Sequence, residues 1–193
     1  MGSRRPREAR PAREVALLAG AGVLGVAGVV AAIVAARRPS APATPLRVAL
    51  IGDSYAVGLG PQLAQLLPTF QYEGHVGTST QQWATHASAC GACGDWIAAY
   101  HPAVTVVALG VNDGDGADPA SYRAVADGLR GIGSRVLWVE PPAGVRTPTT
   151  RVRQAIAALG VPTVPATLTP VSADGVHPQQ YGPWAREIAR YVG

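Results

Sequence analysis

Residues 48–60 read VALIGDSYAVGLG, an apolar run that ends in Gly-Asp-Ser. The segment 47–51 combines aliphatic and β-branched residues, which is typical of a strand inside a sheet. In open α/β sheets, ligands bind beyond the carboxyl ends of the strands. The stretch therefore predicts a buried strand and places Ser54 where chemistry is expected.

Strand-like and helix-like segments alternate along the rest of the chain. Strands are predicted at 47–51, 70–76, 104–109, 135–139 and 161–165, and helices at 60–67, 80–87, 119–131, 149–159 and 178–192. A parallel strand needs a crossover connection to return to the sheet. The alternation therefore predicts an α/β protein with a parallel sheet of about five strands, covered by helices on both faces.

Positive charge is concentrated at the start of the chain. The 193 residues carry 16 Lys+Arg and 12 Asp+Glu, a formal net charge of +4. Residues 1–43 hold seven Arg and two Glu, whereas 44–193 hold nine Arg and ten acidic residues. The remaining domain is nearly neutral and offers no basic footprint for a phosphate backbone, so we expect no nucleic-acid partner.

An uncharged apolar run of 22 residues occupies 15–36, with five Arg before it and two directly after it. As a helix it would be about 33 Å long, enough to cross a bilayer. The excess of Arg before the run predicts a cytoplasmic N-terminus. A signal peptide cleaved near 41–43 (APA) and a buried helix of a soluble protein are the alternatives.

The expected organisation has four parts. They are a basic cytoplasmic tail at 1–14, a transmembrane helix or uncleaved signal anchor at 15–36, a Pro- and Ala-rich linker at 37–45, and an enzyme domain at 46–193. This arrangement predicts a membrane-anchored protein with an extracytoplasmic domain, which is secreted if the N-terminal segment is cleaved.

Three side chains suggest nucleophilic catalysis. A serine hydroxyl is a poor nucleophile until an imidazole takes its proton and a third group orients that imidazole. Ser54, His177 and Asp174 supply these groups, and the Asp-x-x-His spacing puts the last two on one turn. The oxyanion of the transition state needs donors, which the Asn112 amide and the Ser54 backbone N–H could provide.

The blocks GDS, the Gly in HVGTST, GVND and DGVH occur in that order over 52–177. They resemble the four blocks of the SGNH, or GDSL-type, hydrolases. The resemblance implies a small flavodoxin-like α/β/α sandwich. It also implies a nucleophile, Ser54, a base, His177, an orienting carboxylate, Asp174, and an oxyanion hole formed by Ser54, Gly77 and Asn112.

The expected activity is hydrolysis of small acyl esters, with acetyl first, through an acyl-enzyme and without a metal or cofactor. The expected substrates are acetylated envelope polysaccharide or peptidoglycan, and then lipid esters or thioesters. Acyl transfer to an envelope sugar and a catalytically silent, membrane-tethered binding module are the alternatives. Ala56 disfavours the G-x-S-x-G elbow of α/β-hydrolases. A monomer is the working expectation.

Several further residues have alternative interpretations. Tyr55, where the family usually has Leu, and Asp113 are candidate residues of the substrate groove, and Asp113 also fits a role in shaping its turn. Trp83 is expected to pack against the rest of the domain, and a wall of the substrate groove is the alternative for it. Cys90 and Cys93 favour a local disulfide outside the cytoplasm. A redox motif, a zinc cluster with His86 and two unpaired thiols remain open for these cysteines. The loop 112–118 is interpreted as solvated and not as a calcium site.

Overall fold

The computed structural model describes residues 45–86, 91, 93–142, 144–166 and 170–193. The strands are β1 (Val48–Gly52), β2 (Phe70–Gly74), β3 (Val104–Ala108), β4 (Arg135–Val139) and β5 (Thr163–Val164). The helices are α1 (Ser54–Ala64), α2 (Thr80–Thr85), α3 (Asp95–Tyr100), α4 (Pro119–Gly131), α5 (Thr150–Ala157) and α6 (Gly182–Val192), with one 3₁₀ turn at Gly114–Gly116.

The expected tail, transmembrane helix and nearly all of the linker lie outside the described residues. Among the helices within those ranges, none has the length and apolar character that a membrane span requires.

All five strands are parallel, in the order β2-β1-β3-β4-β5. Every residue of β1 and β3 is buried, as expected for central parallel strands with helices on both faces. The prediction of an α/β protein with a five-stranded parallel sheet is confirmed. Since β1 lies between β2 and β3, the loops that follow these three strands meet at one edge of the sheet.

Two apolar cores lie on opposite faces of the sheet. Leu50 and Val106 pack on one face against α1 and α6, together with Leu59 and Ile188. On the other face, β-strand residues pack against α3, α4 and α5; this second core includes Ile51, Val107, Tyr122, Trp138 and Ile156. Because successive strand residues point to opposite faces, one strand sequence supplies both cores.

The first helix begins earlier than the sequence predicts. Pro61 and two glycines are poor helix formers, so the pattern starts the helix at residue 60. The structure starts it at Ser54, because the Asp53 side chain accepts the Tyr55 N–H at 2.9 Å and caps the helix. A buried stripe with a spacing of four residues then continues the helix: Tyr55, Leu59 and Leu63.

Candidate active site

Ser54 is the first residue of α1, and one residue, Asp53, separates it from the carboxyl end of β1. Ser54 is half-buried, and it lies at the edge where the strand-end loops meet. Asp53 accepts the N–H groups of Tyr55, Ala56 and Val57 through its side chain or carbonyl, but no described group accepts the Ser54 N–H. That N–H is therefore available to a ligand at the start of the helix.

The structure brings Ser54, His177 and Asp174 into one hydrogen-bonded chain. His177 Nε2 lies 2.8 Å from Ser54 Oγ, and His177 Nδ1 lies 2.6 Å from Asp174 Oδ2. Ser54 and His177 are 123 residues apart in sequence. With Nδ1–H donated to the carboxylate, Nε2 is free to accept the serine proton.

Asp174 is stabilised as a carboxylate by several donors. Its Oδ1 accepts the Ser172 hydroxyl at 2.7 Å and the backbone N–H groups of Val176 and His177 at 2.8 and 2.9 Å. The Ser172 hydroxyl and then the His177 side chain are the main causes that lower the pKa of Asp174 below its ordinary value. Asp174 is therefore ionised at neutral pH and can orient the imidazole.

Two further donor groups lie after the neighbouring strands. Asn112 Nδ2 donates one hydrogen bond to the Thr78 carbonyl at 2.9 Å, so its second N–H is available. Gly77 has φ +78, a conformation that favours glycine, and within the described residues nothing accepts its N–H. The Thr78 N–H and hydroxyl both donate to the His75 carbonyl and fix this turn.

Asp113 connects the asparagine loop to two helices. Its Oδ1 accepts the Thr80 N–H at 2.9 Å, and its Oδ2 accepts the Tyr122 hydroxyl at 2.6 Å. It also lines a polar cavity of about 130 Å³ that includes Asn112. With both oxygens engaged, Asp113 holds the turn that presents Asn112.

Asp53, directly before Ser54, is fully buried. Burial is the main cause that raises its pKa from 3.8 to about 8, and the charge of Asp113 adds to this effect. The backbone N–H groups of Tyr55 and Gly110 partly offset the rise. No described group bonds the buried Oδ2. A neutral carboxylic acid therefore lies next to the candidate nucleophile, a feature that the sequence analysis did not anticipate.

Tyr55 and Trp83, the candidate groove residues, are only 2% and 4% exposed, and a place for them at a substrate groove stays a prediction. Tyr55 donates its hydroxyl to the Val176 carbonyl at 2.9 Å, and Trp83 Nε1 donates to Thr78 Oγ1 at 3.1 Å. Tyr55 therefore stabilises the loop that carries His177, and Trp83 stabilises the turn that contains Thr78. The sequence feature that sets Tyr55 apart is that the family usually has Leu at this position.

The cysteine predictions remain predictions. Cys93 is buried beside the second core, and its predicted partner Cys90 lies outside the described residues. The zinc cluster with His86 also requires Cys90. In the described part of the chain, Glu73, His75 and Cys93 form one group of metal-ligand types within 4.8 Å. Both oxygens of Glu73 are already engaged, one by His75 and the other by the Gly94 and Trp96 N–H groups.

No family model and no curated protein matches the chain. Solved structures do match it. A GDSL-like lipase from Bacteroides thetaiotaomicron is 15% identical with a TM-score of 0.53, and the match covers 85% of this chain and 96% of that chain. The acetyl xylan esterase AlAXEase is 14% identical with a TM-score of 0.57, covering 77% and 100%.

A third structure is Axe2, an acetylxylan esterase from Geobacillus stearothermophilus. It is 17% identical with a TM-score of 0.53, and the match covers 77% of this chain and 94% of that chain. At such identities the likeness concerns the fold. The chain has the fold of the SGNH, or GDSL-type, hydrolases.

Proposed function

We propose that the protein is a serine esterase that hydrolyses small acyl esters, with Ser54 as nucleophile. One observation carries the proposal: the continuous hydrogen-bonded chain from Ser54 Oγ through His177 to Asp174, at 2.8 and 2.6 Å. This is the arrangement that an acyl transfer through a covalent serine intermediate requires.

In the first step, Ser54 Oγ attacks the ester carbonyl carbon while its proton passes to His177 Nε2. Asp174, held as a carboxylate, stabilises the imidazolium through Nδ1–H. The bond from the carbonyl carbon to the alcohol oxygen then breaks, and His177 returns the proton to the departing alcohol. Water repeats the sequence on the acyl-enzyme, which releases the carboxylic acid and restores Ser54.

The oxyanion of each tetrahedral intermediate is held by the Ser54 N–H, the Gly77 N–H and the second N–H of Asn112. The first two lack acceptors among the described residues, and the third is left over after the bond to Thr78. Donors fixed before the reaction stabilise developing charge most effectively. The bond of Asn112 to Thr78 and the bonds of Asp113 provide that fixation.

The proposed substrate is an acetylated carbohydrate of the cell envelope. Two of the structural neighbours are acetyl xylan esterases, and the proposed N-terminal anchor would place the domain outside the cytoplasm. A local disulfide between Cys90 and Cys93 suits that compartment. The half-exposed catalytic turn leaves room for a bulky alcohol, and a sugar hydroxyl could replace water as the acyl acceptor.

The test is hydrolysis of p-nitrophenyl acetate and of O-acetylated wall polysaccharide. Ser54→Ala should abolish turnover of both, whereas the matched control Ser134→Ala should keep it, because Ser134 lies just before β4 at the opposite edge of the sheet. Equal turnover in wild type and Ser54→Ala would overturn the proposal. Acetyl transfer to an added sugar, measured beside acetate release, distinguishes a transferase from an esterase.

A further inference from the structure

The backbone that carries His177 is shaped largely by its own hydrogen bonds. The Ser172 N–H donates to the His177 carbonyl at 2.7 Å, and the Gln179 N–H donates to the Pro170 carbonyl at 2.9 Å. These bonds define the shape of the segment 170–180, but they do not determine where it lies relative to Ser54. Its position requires contacts with the rest of the domain.

Within the described part of the chain, two hydrogen bonds from outside reach this segment, besides the one with Ser54. The Arg146 N–H donates to the Gly175 carbonyl at 2.6 Å, and the Tyr55 hydroxyl donates to the Val176 carbonyl at 2.9 Å. The Val176 carbonyl belongs to the peptide bond whose nitrogen is that of His177. Tyr55 therefore joins the helix of the nucleophile to the backbone of the base.

The tyrosine is itself firmly held. Its ring lies edge-on to the His177 imidazole, with centroids 5.9 Å apart, and edge-on to Trp184 at 5.3 Å. Burial raises the pKa of the Tyr55 hydroxyl well above its ordinary value, so the hydroxyl remains protonated and donates at any working pH.

We propose that Tyr55 is a positioning residue that keeps the His177 imidazole within reach of the Ser54 hydroxyl. This inference rests on the proposed esterase function. The side chains of His177 and Asp174 are 35% and 50% exposed. Water can therefore compete for their hydrogen bonds once the Tyr55 hydroxyl is removed. A displacement of about 1 Å at a reacting group can cost about 10²-fold in rate.

Tyr55→Phe tests this role because it keeps the ring and removes only the hydroxyl. We expect kcat for p-nitrophenyl acetate to fall by about 10- to 100-fold with KM nearly unchanged, since substrate contacts remain. The control is Thr105→Val, which removes another buried hydroxyl hydrogen bond, to Ser134 at 2.8 Å, on the amino-terminal half of β3. It should lower thermal stability and leave kcat at the wild-type value.

A spectroscopic readout separates positioning from stability. The proton on His177 Nδ1, bonded to Asp174, should give a low-field NMR resonance in wild type and in Thr105→Val. In Tyr55→Phe it should broaden or exchange faster with solvent. If Tyr55→Phe does not fold, Tyr55→Leu, which carries the usual residue of the family, also removes the hydroxyl; because it loses the ring contacts with His177 and Trp184 as well, its kcat is compared at a temperature where thermal unfolding shows it to be folded.

A folded Tyr55 variant with wild-type kcat and an unchanged resonance overturns the inference. The failure of the proposed function has a different signature, because wild type and Ser54→Ala would then have equal turnover. In that case the His177 resonance still decides whether Tyr55 positions the imidazole.

Discussion

At the scale of single residues, two carboxyl groups near Ser54 lie in opposite electrostatic surroundings. Burial raises the pKa of Asp53 to about 8, whereas donors from Ser172 and His177 lower the pKa of Asp174. Asp53 is therefore neutral and Asp174 ionised over much of the neutral range. The neutral group caps α1 behind Ser54, and the charged group faces the imidazole.

The raised pKa of Asp53 predicts a pH-dependent stability. Between about pH 4 and 8 the folded state keeps a proton that the unfolded chain has released, so the free energy of unfolding falls as pH rises, by up to about 1.4 kcal/mol per unit. Asp53→Asn should remove this slope, because the amide resembles the neutral acid. Chemical denaturation at several pH values over this range measures the free energy of unfolding of both proteins. If that free energy changes with pH in the same way in wild type and Asp53→Asn, the raised pKa of Asp53 is contradicted.

Asn112 is predicted to act on the transition state. Asn112→Ala should lower kcat by about 10²- to 10³-fold, the usual cost of one oxyanion donor, with little change in KM. The exposed side chain of Gln81 lines the same cavity and donates nothing to the oxyanion hole, so Gln81→Ala is the control. Steady-state kinetics together with thermal unfolding would show whether activity falls without loss of folding; near-normal kcat in Asn112→Ala would refute the role.

The residues at the strand ends could be predicted from the sequence, but the residues that hold them in place could not. Ser54, Asn112 and the Asp174–His177 pair can be located because parallel strands bring their carboxyl ends to one edge. The roles of Tyr55 and Asp53 depend on which groups their side chains meet after folding. The Val176 carbonyl that Tyr55 bonds is 121 residues away, and no local pattern encodes that contact.

At the scale of the elements, helix boundaries follow packing more than propensity. The sequence misplaces the start of α1 because Gly and Pro are weak helix formers, whereas the buried stripe on the first core decides the outcome. Helix α3 was not predicted, because its six residues are too few to show a clear period. The four residues before α6 belong instead to the turn region, where Pro178 pairs with Val171.

Two helical glycines should respond in opposite ways to alanine. A Cβ at Gly58 in α1 would lie 2.2 Å from the Tyr181 ring, so Gly58→Ala should destabilise the domain by about 1–3 kcal/mol through overpacking. Gly128 in α4 has open space around it, and Gly128→Ala should stabilise by up to about 1 kcal/mol through helix propensity. Thermal and denaturant unfolding of both variants measures the difference. A change in the free energy of unfolding with the same sign in both variants would show that the Tyr181 contact does not determine the effect of Gly58→Ala.

At the scale of the whole domain, the sheet separates two cores that share strands but not side chains. Ile188 on α6 belongs to the first core, and Ile156 on α5 belongs to the second. The parallel order of the sheet and the alternation with helices were predictable, because apolar runs of this length suit strands covered on both faces. Which helices cover which face of the sheet was not predictable, because chain order alone does not assign each crossover helix to a face.

Stability losses in the two cores should therefore add. Ile188→Val and Ile156→Val should each cost about 0.5–1.5 kcal/mol, and the double variant should match the sum within about 0.5 kcal/mol. The comparison pair is Ile188→Val with Val192→Ala, one helical turn apart in the first core, for which coupling is expected. Denaturant unfolding of the single and double variants checks both; strong coupling between Ile188 and Ile156 would mean that strain crosses the sheet.

The partial exposure of the Asp174–His177 turn has a consequence for the proposed esterase reaction on a long polymer. With His177 and Asp174 35% and 50% exposed, the proposed reaction would act on an ester in the middle of a chain, and no free end would have to be threaded into a tunnel. Substituents would then be cleared from scattered interior positions. The degree of substitution of such a polymer would fall while its molar mass hardly changed.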